Sequence, residues 1–290
     1  MKRTNESIEI IKTDKQQVEH INEKVVLWKM ANLTNEKNVF LTHGTFSDKK
    51  ILLGLADFLV ENGYNCWILE WRSHGHSPKS TTQFDFETIA LNDIYSSFDY
   101  LVHRLKITNL SCRTHSGGGI CLTMFLLQFD NFQKYVDSIV VFSCQAFSIN
   151  YSKLNYAKLL TANFFSGLLG IVPGKILKIG NHNETHFTMR QWFNWNLKRE
   201  FKGKDFDYLP KMKMLRIPIY SICSLNDKFI APPKACETFL HAFENEKNVF
   251  ECCSLSNGYF EDYNHSRIIL SKNSKKEIYP KVLNWLISNG

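Results

Sequence analysis

Strand-like and helix-like segments alternate along these 290 residues, and the alternation predicts an α/β fold with a mostly parallel sheet flanked by helices and an inserted helical cap. Three observations carry that expectation. Runs rich in β-branched and aromatic residues recur at 25–30, 38–42, 65–71, 109–113, 136–142, 217–223 and 248–253. Segments with apolar residues at helical spacing separate most of them. One stretch, 148–210, breaks the rhythm without a clear strand. It is far longer than the connections of compact domains, which are usually about six residues or fewer.

The elements follow in order. Residues 25–30 read as a strand, and 38–42 as another that ends at His43 and Gly44. Residues 51–61 have helical spacing and stop at Asn62 and Gly63, a C-terminal signal. Residues 65–71 form a buried-type strand. Residues 86–105 form a long amphipathic helix with Leu91, Ile94, Phe98 and Leu101 on one stripe. A strand at 109–113 leads into a helix at 119–129, and 136–142 is again strand-like. The expected organisation is a core of residues 1–147 and 211–290 with a helical cap at 148–210. The cap carries the apolar run 159–169, a Pro173–Gly174 break and the aromatic segment 189–201. Helices are expected at 232–243 and 275–287.

Hydrophobic residues make up 44% of the chain and charged residues 22%, an ordinary globular balance. The formal net charge is +7, but Lys and Arg are spread out, with only short clusters such as 272–276. No basic groove interleaved with aromatics is evident, so no nucleic-acid partner is expected. A weak attraction to anionic membrane surfaces remains open. The start of the chain lacks the apolar core of a signal peptide, and no apolar run is long enough to span a bilayer. The eight Cys contain no CxxC pair, which removes zinc and thioredoxin-like readings. Buried free thiols in a reducing cytoplasm are expected. No motif calls for a metal or a cofactor. Oligomeric state is left open.

Residues Thr114, His115, Ser116, Gly117 and Gly118 join a strand to a helix. A Ser between small residues at such a turn is the pattern of a nucleophile elbow, usually written G-x-S-x-G. The turn pushes the hydroxyl outward and aims a helix N-terminus at it, where developing negative charge is favoured. Thr114 replaces the first Gly, so a small β-branched residue must fit there.

A Ser hydroxyl needs a His base, and the base needs an acceptor that fixes its tautomer. In the chain order of elbow enzymes the acid and then the His follow the Ser. Asp227 lies just past the strand 217–223, at a carboxyl edge where sites of open α/β sheets form. His265 lies past the last strand. The other nine His fit less well. His43 suggests a turn role with Gly44, His115 would pack under the elbow, and a lone cap His is usually structural. Asp262 more simply orients its own loop, and Asp137 starts a strand at the wrong edge. Two backbone N–H groups are needed for an oxyanion. Gly117 supplies one, and Thr45, in the tight loop after Gly44, supplies the other.

Four motifs together resemble the α/β-hydrolase superfamily: His43-Gly44-Thr45-Phe46, the stretch 70–77, the elbow 114–118, and the late Asp227 and His265. The resemblance covers the chain from about residue 24 onward. The stretch from Glu70 through Arg72, His74 and Ser77 looks like the family's D-x-R-G-H-G-x-S turn, which shapes a loop beside the site. Tyr263, Asn264 and His265 look like the Y-N-H of acid lipases, and residues 189–195 resemble the aromatic, Gln-containing cap segment of the same group. The whole is also similar to bacterial hydrolases of monoacylglycerol-lipase and lysophospholipase type. The resemblance implies an α/β-hydrolase fold and hydrolysis of a small-molecule carboxylic ester, and the apolar residues of the cap argue for an apolar or lipid-like acyl group. A thioesterase, amidase or acyltransferase would use the same residues, and a non-catalytic ligand-binding or scaffold protein is the rival of another class. Epoxide and haloalkane hydrolases carry Asp where Ser116 stands. The pocket is expected to involve Phe46, His115, Phe164, Phe165 and Trp192. The apolar cap residues, from Leu159 to Val172, either pack on the sheet or form a lid that faces the site or leans on a membrane.

Overall fold

The computed structural model describes residues 4–11, 24–31, 37–177 and 179–289. In chain order the strands are β1 (Thr4–Ile11), β2 (Lys24–Ala31), β3 (Asn38–Thr42), β4 (Asn65–Glu70), β5 (Leu110–His115), β6 (Val136–Phe142), β7 (Ile171–Val172), β8 (Glu184–Thr185), β9 (Ile219–Ser224) and β10 (Val249–Cys253). Eight of them form one sheet in the order β1-β2-β4-β3-β5-β6-β9-β10. From β4 to β10 every pairing is parallel, whereas β2 runs antiparallel to both β1 and β4. This is the α/β-hydrolase fold.

Parallel neighbours need crossover connections, and these put helices on both faces of the sheet. The central strands β5 and β9 are therefore buried along their whole length. On one face lies α1 (Lys50–Glu61), which turns Leu52, Leu55, Ala56 and Leu59 fully inward. Each such Leu contributes about 1.5–3 kcal/mol by leaving water. It shares that face with the C-terminal helix Lys272–Asn289. The other face carries the helical residues 86–104, capped by the Asp85 side chain, which accepts the Thr88 N–H at 2.9 Å. Packed against them is the elbow helix Gly117–Gln128, apolar on all sides and buried from Gly117 to Leu127. A helix with no polar face belongs in a core. Phe98 and Phe132 pack against its Phe125.

The structure adds two features absent from the sequence expectations. Strand β1 extends the sheet at its antiparallel edge. Within 148–210, β7 and β8 pair as a two-residue antiparallel clip. That clip joins two helices, Lys153–Leu169 and His186–Lys198. Both begin with side-chain caps, Ser152 accepting from Asn155 N–H and Thr185 from Thr188 N–H. The first ends at Gly170, whose φ of 70° suits glycine. Expected element ends shift by a few residues at most. The largest change in kind is that β5 runs on through His115 and the elbow helix starts at Gly117, leaving Ser116 alone between them.

Candidate active site

Ser116 sits between β5 and the elbow helix with φ 53° and ψ −124°, a region that side-chain-bearing residues rarely occupy. Holding it there costs of order 1–3 kcal/mol. The cost is met by the surroundings: Ser116 N–H donates to the Phe142 carbonyl at 2.8 Å, and the Ser116 carbonyl accepts from Gly119 N–H at 3.0 Å. Close packing fixes the turn. A Cβ on Gly118 would stand 2.6 Å from the His43 carbonyl oxygen, and one on Gly44 would stand 2.8 Å from Gly117 N and from Ser116 Cβ. Glycine is required at both places because the obstructing atoms are mostly backbone.

Thr114 fits at the position usually held by Gly because Gly119 gives it room. A Cβ on Gly119 would lie 3.0 Å from Thr114 Oγ1 and 2.7 Å from Cys144 Sγ. The small residue has moved from two positions before the Ser to three after it.

His265 Nδ1 and Asp227 Oδ2 are 2.5 Å apart. A carboxylate can only accept, so Nδ1 carries the proton and Nε2 is left with its lone pair. The other Asp227 oxygen accepts the Ala231 N–H at 3.1 Å. Burial pushes the Asp227 carboxyl up, but the adjoining His265 outweighs it and the net direction is down, toward a persistent carboxylate. His265 is set beside the elbow by His115, whose ring lies 4.8 Å from its own and whose Nε2–H donates to the His265 carbonyl at 2.8 Å. Burial, reinforced by His265, drives the His115 pKa down to about 3, so this imidazole is neutral.

The loop after β3 closes the other side. A Cβ on Gly117 would be 3.5 Å from Thr45 N, which puts the Thr45 N–H beside the elbow. His43 Nε2 accepts the Trp71 N–H at 3.2 Å, so its Nδ1 carries the proton and donates to the Gly44 carbonyl at 2.8 Å. That carbonyl and the Thr45 N–H belong to one peptide plane, so His43 aims the N–H. Burial, with nearby His74, holds His43 well below its usual pKa, which keeps this neutral tautomer. Of the turn after β4, Arg72 grips Asp93 with Nη2 at 2.5 Å from Oδ1, and Ser77 Oγ–H donates to the Glu70 carbonyl at 2.6 Å. His74 reaches into the 148–210 segment, its Nε2 2.8 Å from Glu184 Oε1.

A small hollow of about 20 Å³, room for a water, adjoins Ser116, Thr45, Gly117, Ser143 and Gln145. Phe46, Met189, Trp192 and Ile230 connect it to an apolar chamber of about 610 Å³ that runs under the helix Lys153–Leu169. A more polar groove of about 730 Å³, lined by Asp227, His265, Asn181 and Arg267, adjoins the chamber at Ile179, Phe229 and Ile230.

Phe46 and Trp192 therefore line both the hollow and the chamber, and Phe165 lines the chamber. Two pocket expectations need correction. Phe164 is 63% exposed on the outer side of its helix and does not line the chamber. His115 is buried behind the elbow against His265 and lines none of the three spaces. Sequence reasoning missed Ser143, Gln145 and Glu184. Ser143 directly follows β6, at the same edge as Asp227, with φ 47°. Among the described residues its buried Oγ has no hydrogen-bond partner. Its place at a strand's carboxyl end was the available signal. Glu184 had a weaker one, as the first carboxylate after Asp137.

No group of His, Cys, Asp and Glu suited to a metal occurs among the described residues. None of their helices is long and apolar enough to cross a membrane.

Residues 37–165 match the family model for the alpha/beta hydrolase fold. No curated protein matches significantly in sequence. Among solved structures, an esterase from Exiguobacterium antarcticum superposes with a TM-score of 0.67 at 14% identity, covering 96% of this chain and 98% of that one. A thermophilic esterase from Thermogutta terrifontis gives 0.64 at 12% identity, with 98% of each chain covered. A monoacylglycerol lipase from Paleococcus ferrophilus gives 0.64 at 15% identity, covering 92% and 99%. At these identities the likeness is one of fold, and the chain shares the α/β-hydrolase fold with these enzymes.

Proposed function

We propose that this protein hydrolyses carboxylic esters by two-step acyl transfer. Ser116 attacks the ester carbonyl while His265 Nε2 takes its proton, and Asp227 holds the imidazole and stabilises its cation. The Thr45 and Gly117 N–H groups hold the oxyanion. His265 then protonates the leaving alcohol and later activates the water that frees the acid. The observation that carries this is the 2.5 Å His265–Asp227 pair, tied by His115 to the turn that holds Ser116 at φ 53°. Solved structures of the same fold that bear the names esterase and monoacylglycerol lipase support the same chemistry. An acyl transferase, thioesterase or amidase would use these groups in the same way, and rates on ester, thioester and amide substrates separate them.

The apolar chamber, reached from Ser116 through the small hollow, favours an apolar acyl chain, and the polar groove beside His265 favours the alcohol. The region 148–210 then serves as a cap over the acyl chain. Its outer surface is apolar and free of carboxylates from 148 to 183, which suits contact with an anionic lipid surface. The eight unpaired cysteines suit a reducing compartment such as the cytoplasm.

Steady-state hydrolysis of p-nitrophenyl esters tests both parts. Replacing Ser116→Ala should lower kcat/KM at least about 1,000-fold without unfolding the protein. The wild-type kcat/KM should rise from acetate to octanoate. Retained activity in the variant overturns the nucleophile, and a strong preference for acetate overturns the acyl chamber.

A further inference from the structure

Phe46 follows the proposed oxyanion donor Thr45 and has φ 61°, a conformation a bulky residue does not hold unaided. Among the described residues, every hydrogen bond that steadies it comes from one short segment of the 148–210 region. The Phe46 N–H donates to Glu184 Oε1 at 2.8 Å. The Phe46 carbonyl accepts from Asn181 N–H at 2.9 Å and His182 N–H at 3.1 Å. The same Glu184 oxygen is 2.8 Å from His74 Nε2, and the carboxylate is almost fully buried at 2% exposure. His182 adds a contact to Asp48 at 3.0 Å, further along the same loop. A buried carboxylate held by two donors is a costly feature that simple packing does not need.

We infer that Glu184 is a positioning residue for the oxyanion hole. It anchors the peptide after Thr45 while His43 aims the peptide before it. The Thr45 N–H is thus set from both sides, and one of the two anchors belongs to the region that roofs the acyl chamber. Closing that region and completing the oxyanion hole are then a single event. An acyl group that displaces residues 181–184 loses the donor needed to turn it over, which makes the clamp a check on what the chamber accepts. This rests on the ester-hydrolase reading above, because a role for the donor requires an oxyanion.

The test compares Glu184→Leu, which removes the acceptor, with Glu184→Gln, which keeps an oxygen for the Phe46 N–H. With p-nitrophenyl butyrate, Glu184→Leu should lower kcat ten- to a hundredfold with KM changed less than threefold. Its affinity for a trifluoromethyl ketone, which forms an oxyanion on Ser116, should fall by the same factor as kcat. Glu184→Gln should stay within about threefold of wild type. Hydrogen–deuterium exchange gives a readout that needs no catalysis. Amides of residues 43–47 should exchange faster in Glu184→Leu and as in wild type in Glu184→Gln, with residues 50–61 unchanged in both. Wild-type exchange at 43–47 in the Leu variant overturns the clamp even if no ester is turned over. Uniform acceleration along the chain also overturns it, since Glu184 would then only stabilise the fold. Loss of activity in both variants with localised exchange changes only in Leu keeps the clamp and removes its catalytic role. Ester turnover that survives Ser116→Ala overturns instead the reading on which the proposal rests.

Discussion

His115 shows how one buried side chain ties the elbow to the loop that bears His265. Its Nε2–H donates to the His265 carbonyl, and its Nδ1 is buried without a partner among the described residues. In the folded protein it stays neutral to about pH 3, because burial and His265 both oppose its cation. In the unfolded chain it takes a proton near 6.5. Below that value the unfolded state binds more protons, so the group's contribution is full above about 6.5 and is lost as pH falls toward 3. The slope approaches about 1.4 kcal/mol per pH unit. Replacing His115→Phe removes the titration and leaves the His265 carbonyl unpaired. At pH 7.5 the variant should be less stable by about 1–3 kcal/mol. At pH 5 the gap should shrink by about 2 kcal/mol. Urea denaturation at the two pH values measures both, and a gap that is constant or wider at pH 5 contradicts the account. The expectation that His115 packs under the elbow follows from alternation along β5, since a side chain adjoining an outward Ser points the other way. Its inclusion among pocket residues ignored that same alternation.

At the scale of the element, the strand–elbow–helix unit was legible and its compensation was not. Ser116 with Gly117 and Gly118 after a β-rich run announces the turn from composition alone. The Thr114–Gly119 exchange is a contact between the last turns of a strand and the first turn of a helix, and only the fold brings the two together. The contact makes a double-mutant prediction. Gly119→Ala gains helix propensity of about 1 kcal/mol. It also drives a Cβ to 2.7 Å from Cys144 Sγ and 3.0 Å from Thr114 Oγ1. A net loss of about 1–3 kcal/mol is expected from overpacking. Adding Thr114→Gly removes one of the two obstructions. The double variant should then be more stable than the sum of the singles by at least about 0.5 kcal/mol, the range seen for residues in contact. Strictly additive unfolding free energies show that Thr114 and Gly119 do not share the space. Glu184 was illegible for a related reason. A carboxylate 138 positions from Phe46 carries no local pattern that names its partner.

At the scale of the molecule, the alternation of segments announced the sheet and its helices because hydrophobic period is a local property. The surface of the 148–210 region is different, since sequence left two roles open for its apolar residues. The structure divides them. Leu159 is fully buried and Phe165 lines the chamber, whereas Leu160, Phe164 and Leu168 form an i, i+4, i+8 stripe on the outer face, 45%, 63% and 70% exposed. Ile176, 80% exposed, lies in the loop that follows β7. Such an apolar surface is a docking face or an aggregation hazard. Charge decides which occupant it suits. Residues 148–183 contain no Asp or Glu and carry Lys153, Lys158, Lys175 and Lys178. An anionic lipid surface offers apolar depth and negative headgroups together. Each inserted side chain is worth about 1.5–3 kcal/mol and each nearby Lys about 1 kcal/mol. The protein should therefore sediment with vesicles containing about a third phosphatidylglycerol, less with pure phosphatidylcholine, and less again at high salt. The triple variant Phe164→Ser, Leu168→Ser, Ile176→Ser should bind those vesicles at least tenfold more weakly. It should still hydrolyse a soluble butyrate ester at the wild-type rate, because none of the three side chains lines the chamber. Equal vesicle binding by wild type and variant would remove the lipid surface as the occupant of this face. Dimerisation of the wild type that the three serines abolish, without vesicle binding, would assign the face to a second copy of the chain.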